Sequence, residues 1–149
     1  MENSTYIVCP KCEKQSFYKI NITIERHDFQ CQLCKSNFNI QLATVRTKNS
    51  RSYQKNGERV HNIRIITPNK QERLINFITW NHINPELKSG DIIILTHMDS
   101  KLFIIENKTI NQYYVLAKNN GGCSRSTGVA IGTILLILKF VFTYWHTMF

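Results

Sequence analysis

Four cysteines near the start of the chain fall into two pairs, Cys9 with Cys12 and Cys31 with Cys34, in the pattern C-x2-C-x18-C-x2-C. Two intervening residues let both thiols of a pair face one point from a single tight turn. Two such turns brought together place four sulfurs at about 2.3 Å from a shared ion, the geometry of a tetrahedral zinc site. The spacing therefore predicts that distant residues meet at one metal, with an intervening hairpin returning the second pair to the first. Iron held by four thiolates is the other metal that suits these ligands. Disulfide and redox readings fit less well. The opening residues "MENSTYIVCPKC" lack a basic start followed by a long apolar run, which points to a reducing, cytosolic compartment. A thioredoxin-like pair also needs a helix N-terminus in a βαβ setting, and two pairs flanking a hairpin do not supply one.

The stretches "IVCPKCEKQSFYKI" and "FQCQLCKSNFNI" resemble the short N-terminal zinc-ribbon fingers of bacterial and archaeal proteins. In those fingers a CPxC knuckle and a CxxC knuckle flank a β-hairpin, and an aromatic often follows the second pair, as Phe38 does here. Glu13 and Lys35 stand after the knuckles, where that family usually carries glycine. The resemblance covers residues 6–42, roughly a quarter of the 149-residue chain. It implies a fold and one zinc ion, not an activity. Four thiolates close the coordination sphere, whereas a catalytic zinc keeps one position open, so the metal is expected to be structural. His27, beside Asp28, falls on the expected hairpin turn and is not counted as a ligand.

Within the ribbon, Tyr18, Ile20, Ile22 and Ile24 alternate with polar residues and predict a strand. "ERHD" reads as the following turn and "FNIQLATV" as a further strand. The polar stretch "RTKNSRSYQKNGER" comes next and reads as a basic loop, with a turn at Asn56–Gly57. Five runs rich in β-branched and aromatic residues follow: "VHNIRII", "RLINFITW", "DIIILTH", "KLFIIEN" and "QYYVLAK". Turn chemistry separates them, and that rhythm predicts a small antiparallel barrel or sandwich, OB-like or SH3-like. The expected fold class is mainly β. It comprises a zinc ribbon over 5–45, a small β-barrel over 46–118, a Gly/Ser hinge over 119–127 and a transmembrane helix over 128–149.

The last of these segments, "GVAIGTILLILKFVFTYWHTMF", has the length needed to cross a hydrocarbon core of about 30 Å. Lys139 near its middle costs about 2.5–3.5 kcal/mol on insertion scales, while its Leu, Ile, Val and Phe residues contribute about −3 to −6 kcal/mol. The balance favours insertion, helped if Lys139 snorkels or pairs in an oligomer. Tyr144, Trp145 and His146 suit an interfacial belt, and Gly128 and Gly132 form a G-x-x-x-G pattern able to pair two copies of the helix. Lys118 and Arg125 precede the span and no Lys or Arg follows it, so the N-terminal bulk is expected in the cytoplasm. Cys123 lies in the hinge, outside the metal set.

No GxSxG, HExxH, Walker-type loop or GxGxxG occurs, and the carboxylates are scattered. Asp91 reads as a turn residue entering a strand, and His97, Asp99 and Ser100 as a hairpin loop, so no enzyme is expected. The net charge of +9 favours acidic partners such as nucleic acid or anionic lipid. Arg46, Lys48, Arg51, Lys55, Arg59 and Arg64 are the candidate contacts to phosphates, with Trp80, Tyr113 and Tyr114 as stacking aromatics. The expected function is a membrane-tethered, non-enzymatic adaptor for a protein partner, with nucleic-acid binding as the alternative.

Overall fold

The structure is a computed structural model that describes residues 2–53, 57–80, 82–118 and 122–124. Every regular element among the described residues is a β-strand: β1 (Glu2–Val8), β2 (Gln15–Asn21), β3 (Arg26–Gln30), β4 (Asn37–Tyr53), β5 (Glu58–Ile66), β6 (Glu72–Trp80), β7 (Ile92–Met98), β8 (Lys101–Asn107), β9 (Gln112–Lys118) and β10 (Gly122–Ser124). Residues 128–149, where the sequence places the membrane span, lie outside the described residues, as do Lys55 and most of the hinge.

Strands β1 and β2 form an antiparallel hairpin of their own. The remaining strands make one antiparallel sheet in the order β10-β9-β8-β7-β4-β5-β6, with β3 also paired to the first part of β4. All five runs expected after residue 59 are strands. The expected closed barrel is not found. The sheet curls until β6 lies within 8 Å, Cα to Cα, of β9 and β10, but among the described residues no ladder joins these edges. Closure needs a consistent stagger around the whole ring. Here β10 is only three residues long, and its pairing with β9 slips between Gly122 and Ser124.

Three further local expectations change. The stretch after residue 45 is not a loop: β4 runs through to Tyr53 and pairs with β5 up to Glu58. It reads as polar because both phases of the strand are polar here, Thr47, Asn49 and Arg51 in one and Lys48, Ser50 and Ser52 in the other. A register shift between Val45 and Thr47 leaves Arg46 as the extra residue of a β-bulge. "ERHD" is not a turn either, since Arg26–Asp28 pair with Asn39–Gln41 in β3. The turn comes earlier, because the Asn21 side chain accepts from Thr23 N at 3.1 Å and Thr23 Oγ1 at 2.8 Å. This Asx-turn ends β2 and leaves Ile22 and Ile24 exposed.

Apolar clusters lie on opposite faces of the main sheet, with a smaller one where Val8 meets Ile104 and Val115. On the concave face Ala43, Val45, Ile63, Ile65, Ile93, Leu95, Ile105 and Leu116 pack together, closed by Ile83 and Leu87 from the β6–β7 connection. On the convex face Ile40, Leu42 and Ile94 meet Ile7, Tyr18 and Ile20 of the β1–β2 hairpin. Strand β7 is thus buried on both sides from Ile93 to Leu95, which explains why these three are apolar without alternation.

Candidate metal centre

The two knuckles are not separated by a shared hairpin, as the sequence suggests. Each one is the tip of its own hairpin: Val8 pairs with Gln15 around Cys9–Cys12, and Gln30 pairs with Asn37 around Cys31–Cys34. The two turns repeat the same hydrogen bonds. Glu13 N donates to Cys9 O at 2.9 Å and Lys35 N to Cys31 O at 3.0 Å. Cys9 N then donates to Lys14 O at 3.0 Å and Cys31 N to Ser36 O at 2.8 Å. Both turns need a left-handed residue to close, and Glu13 (φ 56°) and Lys35 (φ 61°) take that conformation. This is the physical reason glycine is common at these two positions. Lys35→Gly is accordingly expected to be neutral or to stabilise by up to about 1 kcal/mol, read as a shift in urea midpoint. A loss larger than that would show that the Lys35 side chain has a structural role.

The thiol sulfurs of Cys9, Cys12, Cys31 and Cys34 all lie within 4.8 Å of one another. Cys9 Sγ is 3.6 Å from Cys34 Sγ, and Cys12 Sγ is 3.7 Å from Cys31 Sγ. A tetrahedron with metal–sulfur bonds of about 2.3 Å has edges of about 3.8 Å, so this cluster has the dimensions of a four-thiolate zinc site. Cys9 and Cys31 are buried, and Cys12 and Cys34 are half-buried. Among the described residues these four form the one cluster of His, Cys, Asp or Glu able to hold a metal. His27 lies on β3, where its Nε2 meets Asn21 O at 3.0 Å, and it is not part of the cluster.

The electrostatics point to a cation. Ser36 Oγ is 3.0 Å from Cys34 Sγ, and its hydroxyl and backbone amide pull that thiol down to about 6. Burial, with hydrogen bonds from the neighbouring thiols, pushes Cys12 up to about 12. Four adjacent thiols cannot all ionise by themselves, and a bound dication makes all four thiolates favourable.

The ribbon is held to the sheet at the entrance to the first knuckle. Val8 N donates to Glu106 Oε1 at 3.0 Å, and Lys108 Nζ sits 2.7 Å from Glu106 Oε2 while also bonding Tyr6 O. Burial raises the Glu106 carboxyl above its usual range, opposed by Lys108. Sequence reading passed over Glu106, since a lone acid inside an apolar run has no pattern to mark it.

The expected phosphate contacts are scattered over two faces. Arg46 and Arg64 pair with Glu72, and Arg51 is exposed. Lys48 and Arg59 are partly buried towards the concave face. Tyr114 is buried in the concave core with its hydroxyl bonded to Glu86 N and Gln112 Oε1, so it offers no stacking surface. Trp80 and Tyr113 are partly buried against the cores. The open aromatic pair is Tyr6 and Phe17, cross-strand partners on the ribbon in edge contact at 5.2 Å, and 59% and 51% exposed. Phe17 carried a signal in the sequence, because it falls on the opposite phase from Tyr18 and Ile20. Asp91 is buried and accepts from Lys88 N at 2.8 Å and Asn107 Nδ2 at 2.7 Å, which makes it a turn brace. Asp99 and Ser100, both at positive φ, form the two-residue turn of the β7–β8 hairpin.

The fold and site define a mainly β protein with a zinc-ribbon-like knot of four cysteines. The chain matches no protein-family profile, and no curated protein or solved structure is significantly similar to it.

Proposed function

We propose that this chain is a non-enzymatic adaptor whose ribbon is stapled by one structural zinc ion. Residues 128–149 tether it to a membrane as a single span, with the N-terminal domain on the cytoplasmic side. The observation that carries this reading is the closed four-sulfur cluster, which leaves a bound zinc no position for water or substrate. Ligation by Cys9, Cys12, Cys31 and Cys34 fixes two hairpin tips that have little core of their own, and so presents the outer face of the ribbon. Tyr6 and Phe17 are exposed there, and Leu33 is exposed on the second knuckle, the kind of aromatic and apolar surface that anchors protein interfaces. The G-x-x-x-G face of the span offers a second copy of the chain a place to pack.

The test has two arms. Alkaline carbonate extraction of membranes should leave the intact chain in the pellet, and its release would remove the tether. A pull-down from solubilised membranes should recover a partner that is lost with Tyr6→Ser/Phe17→Ser while zinc content stays at one per chain. Equal recovery by the variant would remove the ribbon face as the docking surface. The second reading, nucleic-acid binding, is favoured by Lys48 and Arg59, which have no carboxylate partner among the described residues. It requires affinity to fall steeply between low and moderate salt.

A further inference from the structure

On the concave face of the β4–β5 ladder, Ile63 opposite Lys48, His61 opposite Ser50 and Arg59 opposite Ser52 follow one another at alternate positions. His61 is fully buried and stacked on Phe77 at 4.7 Å. Its Nε2 lies 2.8 Å from Thr79 Oγ1, and Thr79 Oγ1 lies 2.6 Å from Ile83 O. The single hydroxyl proton of Thr79 goes to that carbonyl, so Nε2–H of His61 donates to Thr79. The proton of the neutral imidazole is then accounted for, and Nδ1 carries a lone pair. That Nδ1 is buried and has no hydrogen-bond partner, and neither has the buried Nε–H of Arg59. One orphan is an acceptor and the other a donor.

The charges nearby are unbalanced. Lys48 Nζ donates to Asn84 Oδ1 at 2.6 Å and to Pro85 O, both neutral. No carboxylate among the described residues lies within ion-pair distance of Lys48 or Arg59. Burial, with Arg59 nearby, brings the Lys48 ammonium down to about 8, and burial with both cations brings His61 down to about 4. His61 is therefore a neutral acceptor at neutral pH beside two cations; the Glu86 carboxylate favours the Lys48 ammonium from a distance but is paired with Lys88 at 3.1 Å.

We propose that Lys48, Arg59 and His61 bind a phosphate group that retains a proton. Its charged oxygens accept from Arg59 Nε–H and Lys48 Nζ–H, and its P–OH donates to His61 Nδ1. Inorganic phosphate carries such a proton throughout the neutral range. A phosphate monoester keeps one only near or below its second pKa of about 6. Sulfate and phosphodiesters have none, and they leave the buried Nδ1 unmatched, which weakens their binding. The site does not depend on the membrane reading.

Calorimetry on the zinc-loaded full chain at about pH 7 tests it with inorganic phosphate, sulfate and glycerol 3-phosphate. Phosphate should bind at least about tenfold more tightly than sulfate, and Lys48→Met and Arg59→Met should each weaken it about tenfold or more. Thermal unfolding without phosphate checks that both variants fold. A monoester weaker than inorganic phosphate makes free phosphate the ligand. A monoester that binds as tightly at this pH, where it has largely lost that proton, shows that no P–OH is needed and overturns the proposal. Equal affinity for sulfate, or unchanged affinity in both variants, overturns the proposal. So does no binding of phosphate at all.

Discussion

Replacing Cys31 with serine is expected to abolish zinc binding and to unfold the ribbon. A serine hydroxyl stays protonated at neutral pH and cannot take the place of a thiolate, which leaves three sulfurs and an open position. Structural zinc in small fingers contributes about 10–16 kcal/mol of apparent binding energy at neutral pH, and that energy is folding energy. The ribbon depends on it because β1 and β2 pair only with each other. Their apolar side chains reach the convex core, and the four cysteines pack into that same core, so losing the metal removes the ligation that ties the two hairpin tips together there. Native mass spectrometry should show one zinc in the wild type and none in Cys31→Ser. Amide signals of residues 2–42 should lose dispersion, while β5–β9 keep theirs at lower stability. Retention of one zinc at wild-type affinity would refute four-sulfur ligation. Visible absorption with equimolar iron in the untreated protein would make the metal iron.

The second large effect concerns the double-sided burial of β7. Ile94 and Leu95 are both inaccessible, but they belong to different cores, Ile94 under the ribbon and Leu95 in the concave face. Ile94→Ala and Leu95→Ala should each cost about 2–5 kcal/mol in urea unfolding, since each deletes a buried side chain and leaves a cavity. Ile92→Ala, at a position 56% exposed, should stay within about 0.5 kcal/mol. The Ile94 variant should also release zinc to a chelator faster than the Leu95 variant, because it loosens the surface on which the ribbon rests. If Ile94→Ala were as mild as Ile92→Ala, the β1–β2 hairpin would not pack on the convex face.

How much could be read in advance varied with the range of the interactions involved. The ligand spacing is local within each knuckle, so the turns and their four thiols were legible from residues 9–12 and 31–34. The five later strands were legible too, because a half-buried strand writes its burial into a period-two pattern. Strand β3 was missed because its pairing partner, not its composition, makes it a strand. "RHDFQ" contains only one large apolar residue, and it is held in place by Asn37–Gln41. The far part of the β4–β5 hairpin, residues 46–59, reads as a loop for a related reason. Thr47, Asn49 and Arg51 in one phase and Lys48, Ser50 and Ser52 in the other are all polar, so no alternation marks the strand.

Sequence alone determined the chemistry of the metal centre, since four cysteines at that spacing can present their sulfurs to one ion whatever the surroundings. It also determined which segments are strands wherever water meets one face and a core the other. Tertiary structure alone decided the pairing that gives each knuckle its own hairpin, the open edges of the curled sheet, and the seating of the ribbon over β7. It also decided which cations keep free charge: Glu72 takes up Arg46 and Arg64, while Lys48 and Arg59 face inward beside His61. Those outcomes depend on contacts between residues far apart in the chain, and such contacts leave no periodic trace in either partner.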